Sequence, residues 1–165
     1  MPVIVYNVPK FTGVNVGGAT LARLSRHDKI IGVKDTSGNI AQIADTVRLA
    51  SPEFQVLAGS ASFLFAGLAV GAVGGVLALA NIAPQQSLDI YRLYNQGRWE
   101  EAAALQRRML PVNAAVTSGF GIAGLKAALD MIGYYGGPVR APLVDLDESK
   151  RLALHEILVE GGILT

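Results

Sequence analysis

Short apolar runs and helical patterns take turns along the first eighty positions. VIVYN at 3–7 is followed by ATLARLSRH at 19–27, where Leu21 and Leu24 recur at helical spacing. IIGVKD at 30–35 is the second run. NIAQIADTVRLA at 39–50 then puts Ile40, Ile43, Val47 and Ala50 on one helical face, with Asn39 available as an N-cap. FQVLAGS at 54–60 is the third run, a helix is expected over 61–71, and GGVLALAN at 74–81 is the fourth. These runs are apolar at nearly every position instead of alternating, as in a parallel strand covered on both faces. Four strand–helix units in succession predict an α/β architecture built on a parallel sheet.

Beyond Asn81 the pattern becomes helical. A helix over 84–97 ends at Gly97, a natural C-terminal stop, and a longer one covers 98–118. A third spans 121–133, a loop fills 134–146, and a last helix over 147–160 opens with Asp147 as its cap. The chain therefore divides into a strand–helix part, 1–82, and a helical part, 83–165.

Composition narrows the class. With 165 residues, 51% hydrophobic and 16% charged, one well-buried core is expected and disorder is excluded. A formal charge of +1 leaves no polybasic surface for nucleic acid or an anionic membrane. The absence of cysteine removes disulfides and thiolate metal sites. No signal-peptide pattern opens the chain, since polar and charged residues arrive within the first ten positions. The apolar window 63–80 is long enough to raise the question of a membrane span. Its four glycines point instead to a buried helix turning into a buried strand.

Ligands in parallel α/β folds bind beyond the carboxyl ends of the strands. Those ends carry Tyr6-Asn7, Lys34-Asp35-Thr36, Gly59-Ser60 and Asn81. Lys34 closes an apolar run, where a cation is costly to desolvate. Either it reaches solvent, or burial and its neighbours lower its pKa and make the free amine available to attack a ketone. Tyr6 is likewise either a core-edge tyrosine or a proton-transfer group. His27 and His155 have no second ligand at metal spacing, and Asp35 and Asp45 do not make a carboxylate pair. GAVGG at 71–75 precedes an apolar strand instead of opening a helix, unlike a phosphate loop.

YNVPKFTG at 6–13 and GVKDTSGN at 32–39, in this order and separation, resemble the pyruvate-dependent class I aldolases. That family includes dihydrodipicolinate synthase and N-acetylneuraminate lyase, and its members are TIM (β/α)8 barrels. The segments 54–81 and 113–143 most resemble its 4-hydroxy-2-oxoglutarate aldolase branch. The resemblance implies the C-terminal half of such a barrel, strands five to eight, with a C-terminal helical extension. It implies that Lys34 forms a Schiff base with the C2 ketone of a 2-oxo acid and that Tyr6 transfers protons. Thr36 stands at a substrate-contacting hydroxyl position, Gly59 at a backbone contact, and Leu77 where a carbonyl faces the pyruvyl group. No cofactor and no metal are implied. The expected partners are pyruvate or 4-hydroxy-2-oxoglutarate and further copies of the chain, in an intracellular setting, cytoplasmic or mitochondrial.

Two departures from the family pattern matter. The synthase branch has arginine two residues after the proline of YNVP, and here that position is Phe11. A neutral ring cannot pair with a substrate carboxylate as arginine does, so retro-aldol cleavage to pyruvate and glyoxylate is expected over dihydrodipicolinate synthesis. The first four strand–helix units have no counterpart in the chain, nor does the Gly-Ser/Thr-Thr-Gly-Glu loop that binds the pyruvyl carboxylate. A tyrosine that many relatives contribute across a subunit interface also has no counterpart. Open sheet edges, favouring self-association, are the consequence.

Overall fold

The four apolar runs pair as parallel neighbours in chain order. The computed structural model describes residues 1–164. Its strands are β1 (Val3–Asn7), β2 (Ile30–Asp35), β3 (Gln55–Ala58) and β4 (Gly74–Gly75), arranged β1-β2-β3-β4. Between them run α1 (Pro9–Thr12), α2 (Gly18–Leu24), α3 (Ile40–Leu49) and α4 (Leu64–Ala69). Four further helices follow: α5 (Pro84–Asn95), α6 (Trp99–Ala114), α7 (Gly121–Met131) and α8 (Glu148–Glu160). Several expected ends carry the expected chemistry. Asn39 and Asp147 cap α3 and α8 by accepting from Gln42 N and Lys150 N, and Gly97 takes a left-handed φ of 75° just past α5.

The sheet is covered on one face only, where the apolar runs predict cover on both. Val33 and Val56 point into a cluster with Leu21 of α2, Ile43 of α3 and Phe54. On the opposite face Ile4, Tyr6 and Val76 remain 47–51% exposed. That face would line the inside of a barrel, and four strands are too few to close one. The apolar character of both faces is thus real, but only one of them meets a partner within these residues. On α3 the buried centre is Ile43 and Thr46, while Val47 lies partly exposed.

Two other expectations change. The run 74–81 pairs only at its start. Val76 N still donates to Ala58 O, but beyond it the chain loses its neighbour and closes its own short bonds, Ala80 N to Leu77 O and Ile82 N to Leu79 O. Residues Ala78–Asn81 therefore wind into a 3₁₀ turn. The helix expected over 61–71 is likewise a 3₁₀ turn, Ala61–Phe63, leading into the six residues of α4. No helix among the described residues is long and apolar enough to cross a membrane. The long helix expected over 98–118 runs as α6 and then widens into a π turn, Ala115–Gly119, closed by Phe120 N on Ala115 O.

The helical part has its own core around α6, where Met109 and Val112 pack with Leu79, Ala128, Leu154 and Leu158. A smaller cluster of Ala58, Leu64, Leu68 and Ile90 joins it to the sheet. Ion pairs such as Arg98–Glu101 and Asp45–Arg48 are exposed and one helical turn apart, so they add little. Their mutual hydrogen bond raises the Arg98 guanidinium and lowers the Glu101 carboxyl from their ordinary values. Stability rests on the apolar clusters. Ile43→Ala, at a fully buried position, is expected to cost about 2–5 kcal/mol. A shifted urea midpoint at unchanged slope would show it.

Candidate active site

Tyr6 and Lys34 are register partners at the carboxyl ends of β1 and β2. In-register residues of adjacent parallel strands project to the same face, here the open one. The Lys34 Nζ lies 4.2 Å from the centroid of the Tyr6 ring, within range of the attraction between a cation and a ring face. Both side chains border an open cavity of about 430 Å³, which Thr36, Gly59, Ser60, Ser62, Val76 and Thr117 also line. An amine, a phenol and several hydroxyls therefore meet at the strand ends, as the residue order predicts.

Each neighbour is held by a specific local device. Thr36 donates both its backbone N–H and its hydroxyl to Asn7 O, at 2.9 and 2.7 Å, which joins the tips of β1 and β2 and leaves the hydroxyl oxygen as an acceptor. Gly59 N donates to Asp35 O at 2.7 Å, joining β2 to β3. A Cβ on Gly59 would overlap the Thr36 methyl and stand 2.7 Å from Asp35 O, so only glycine allows this approach. Phe11 lies at the exposed rim of the cavity, beside Lys10.

Leu77 is placed differently from the other expected site residues. Alternation sends Val76 and Ala78 to the Lys34 cavity and turns the Leu77 side chain into a separate apolar cavity with Leu57, Leu64 and Tyr91. Its carbonyl accepts from Ala80 N in the 3₁₀ turn. Val76 and Ala78, on either side of it in the chain, border the Lys34 cavity.

Other contributors carried no pattern in the sequence. The π turn brings Val116, Thr117 and Ser118 to the cavity wall. Such turns recur at functional sites, but nothing in AAVTSG marks one in advance. On α6, Asn113 is buried and donates to Ser62 Oγ at 2.8 Å, and Gln106 bonds Phe65 N and Ala61 O. Together they pin the 60–65 turn from behind. The Asn113 Oδ1 meets no donor among the described residues. Behind the catalytic candidates, Asn7 and Asp35 are both buried and bonded to each other. His27 accepts from Lys29 N in a turn, and His155 stands apart on α8. Among the described residues no cluster of three or more metal-ligating side chains exists.

Residues 1–160 match the family model of the dihydrodipicolinate synthetase family. The chain belongs to that family. A DapA-like lyase of Halobacterium salinarum is 42% identical over 99% of the chain. A 4-hydroxy-tetrahydrodipicolinate synthase of Methanosphaerula palustris is 35% identical over 96% of it. Among solved structures, the family member YagE of E. coli K12, in complex with pyruvate, superposes over 99% of the chain with a TM-score of 0.89 at 28% identity. The chain spans about half of each relative, 53%, 55% and 57% of their own lengths. These three carry synthase and lyase names, and none is named a 4-hydroxy-2-oxoglutarate aldolase.

The close packing at Gly59 gives a direct test of how the cavity wall is built. Gly59→Ala is expected to destabilise the fold by about 1–3 kcal/mol through overpacking. Thermal unfolding should show a lower midpoint, and a Thr36→Ser change in the same chain should recover part of it by removing the obstructing methyl.

Proposed function

We propose that this chain carries the Schiff-base half of a pyruvate-dependent class I aldolase, with Lys34 as the amine and Tyr6 as the proton-transfer group. The observation that supports it best is the Lys34 Nζ lying 4.2 Å from the Tyr6 ring at the mouth of a strand-end cavity. The Lys34 amine attacks the C2 ketone of a 2-oxo acid, and loss of water leaves an iminium. The electrons of the C3–C4 bond then pass to that iminium as the bond breaks, while Tyr6 takes the proton of the C4 hydroxyl. An aldehyde departs, the remaining enamine is protonated at C3, and water releases pyruvate. Pyruvate as the retained fragment is in keeping with the pyruvate complex of YagE. The protein's own amine carries this chemistry.

Two substrate readings follow from different observations. The neutral Phe11 ring at the rim favours cleavage of 4-hydroxy-2-oxoglutarate to pyruvate and glyoxylate. The synthase and lyase names of the relatives favour a dihydrodipicolinate synthase-like reaction, and they speak for the family more directly than one rim residue does. Archaeal and bacterial relatives also favour a cytoplasmic over a mitochondrial setting. On the architectural side, residues 1–82 correspond to strands five to eight of the barrel, and 83–165 to the C-terminal helices that complete it and the helical extension. The open face and free edges of β1 and β4 then call for more strands.

Incubation with pyruvate and borohydride is expected to leave a pyruvyl adduct on Lys34, located by peptide mass spectrometry and lost in Lys34→Ala. A folded chain that takes up no adduct would make it a non-catalytic half-barrel acting through assembly. Tyr6→Phe should still trap pyruvate while losing about 10²–10⁴-fold in cleavage. Unchanged cleavage would remove Tyr6 from the mechanism. Assays pairing pyruvate with glyoxylate or with aspartate semialdehyde separate the two substrate readings. Light scattering is expected to report a mass above one chain, and a monodisperse monomer would argue against self-association.

A further inference from the structure

Directly behind Tyr6 and Lys34, on the helix-covered face, stand their chain neighbours Asn7 and Asp35. They too are register partners, and each is only 1% exposed. The Asp35 carboxylate accepts from three neutral donors: Asn7 Nδ2 at 3.0 Å, Gln42 Nε2 at 2.9 Å and Ser37 N at 2.7 Å. The Asn7 amide is equally committed, donating also to Asn15 Oδ1 at 2.9 Å and accepting from Val16 N at 3.0 Å. Asn15 and Gln42 close the ring through Asn15 Nδ2 to Gln42 Oε1 at 2.7 Å. No cation takes part.

Burying a carboxylate among neutral amides is costly, and an apolar pair of similar size would serve packing at least as well. What the polar pair adds is a fixed alignment. One side-chain bond from Asn7 to Asp35 pins the tips of β1 and β2 on one face, while Thr36 pins the same tips through the Asn7 carbonyl. A slip of one residue along β2 would break every one of these bonds and carry Lys34 away from Tyr6. We propose that Asn7 and Asp35, supported by Gln42, are positioning residues that hold the Lys34 amine against Tyr6 across the β1–β2 pair. The proposal rests on the Schiff-base reading for its catalytic meaning, but the alignment itself is measurable without it.

The test uses four forms of the chain: wild type, Asp35→Asn, Gln42→Ala, and the exchange N7D/D35N, which returns one amide and one carboxylate to the pair. Gln42→Ala removes one of three donors from outside either strand, so it probes the clamp should Asp35→Asn fail to fold. Hydrogen exchange at the Thr36 amide reports the strand tips, and the rate constant for borohydride trapping of pyruvate at saturation reports the amine. Both are taken per folded molecule. Asp35→Asn is expected to speed Thr36 exchange and lower the trapping constant about tenfold, with the half-saturating pyruvate concentration little changed. Gln42→Ala should do the same to a lesser degree, and the exchange should return both readouts to within about threefold of wild type. Variants that lose thermal stability but keep wild-type Thr36 exchange and trapping would overturn the proposal, as would an exchange variant that folds without recovery. If wild type itself traps no pyruvate, the Schiff-base reading fails, and the clamp is judged on Thr36 exchange alone.

Discussion

The in-register pairing of β1 and β2 is the constraint from which the site follows. Tyr6 opposes Lys34 and Asn7 opposes Asp35, so one pairing decision sends an amine and a phenol to the open face and a carboxamide and carboxylate to the covered one. Period-two geometry makes these outcomes inseparable. The cavity side holds the groups that can react. The helix side holds Asn7 and Asp35, bonded to each other and to Asn15, Val16, Ser37 and Gln42.

The other walls of the cavity are placed by backbone economy. Gly59 lets β3 approach β2 closely enough for its N–H to reach Asp35 O. The 60–65 turn that follows is pinned from α6 by Gln106 and Asn113. The π turn at the end of α6 then adds Thr117 to the opposite wall. Strand tips, a 3₁₀ turn and a π turn converge because each is tied to an element with a deep core, the sheet through Val33 and Ile43 and α6 through Met109 and Val112.

The open face distinguishes this chain from a closed barrel. Its apolar residues Ile4, Tyr6 and Val76 alternate with covered ones and stay about half exposed. The matched relatives are nearly twice as long as the chain. The apolar runs read as strands covered on both faces, and the sheet has helices on one.

Much of the architecture was legible because it is local. Apolar runs, the caps Asn39 and Asp147, and the stop at Gly97 depend on residues within a turn of one another. The meeting of Tyr6 and Lys34 was legible too, as adjacent parallel strands of similar length end together. What required tertiary structure was anything set by a missing or distant neighbour. The 3₁₀ turn at 78–81 forms where the run stops pairing with β3, and with it Asn81 leaves the strand end at which the sequence placed it. The π turn depends on how α6 and α7 pack, and the burial of Asp35 on N–H donors from Asn7 of β1, the Ser37 backbone in a loop and Gln42 of α3. The sequence alone determined which residues stand at the ends of the first three strands; only the folded chain decided where the fourth stops and which face, turn and hydrogen bond each residue would have, because those depend on contacts between positions far apart in the chain.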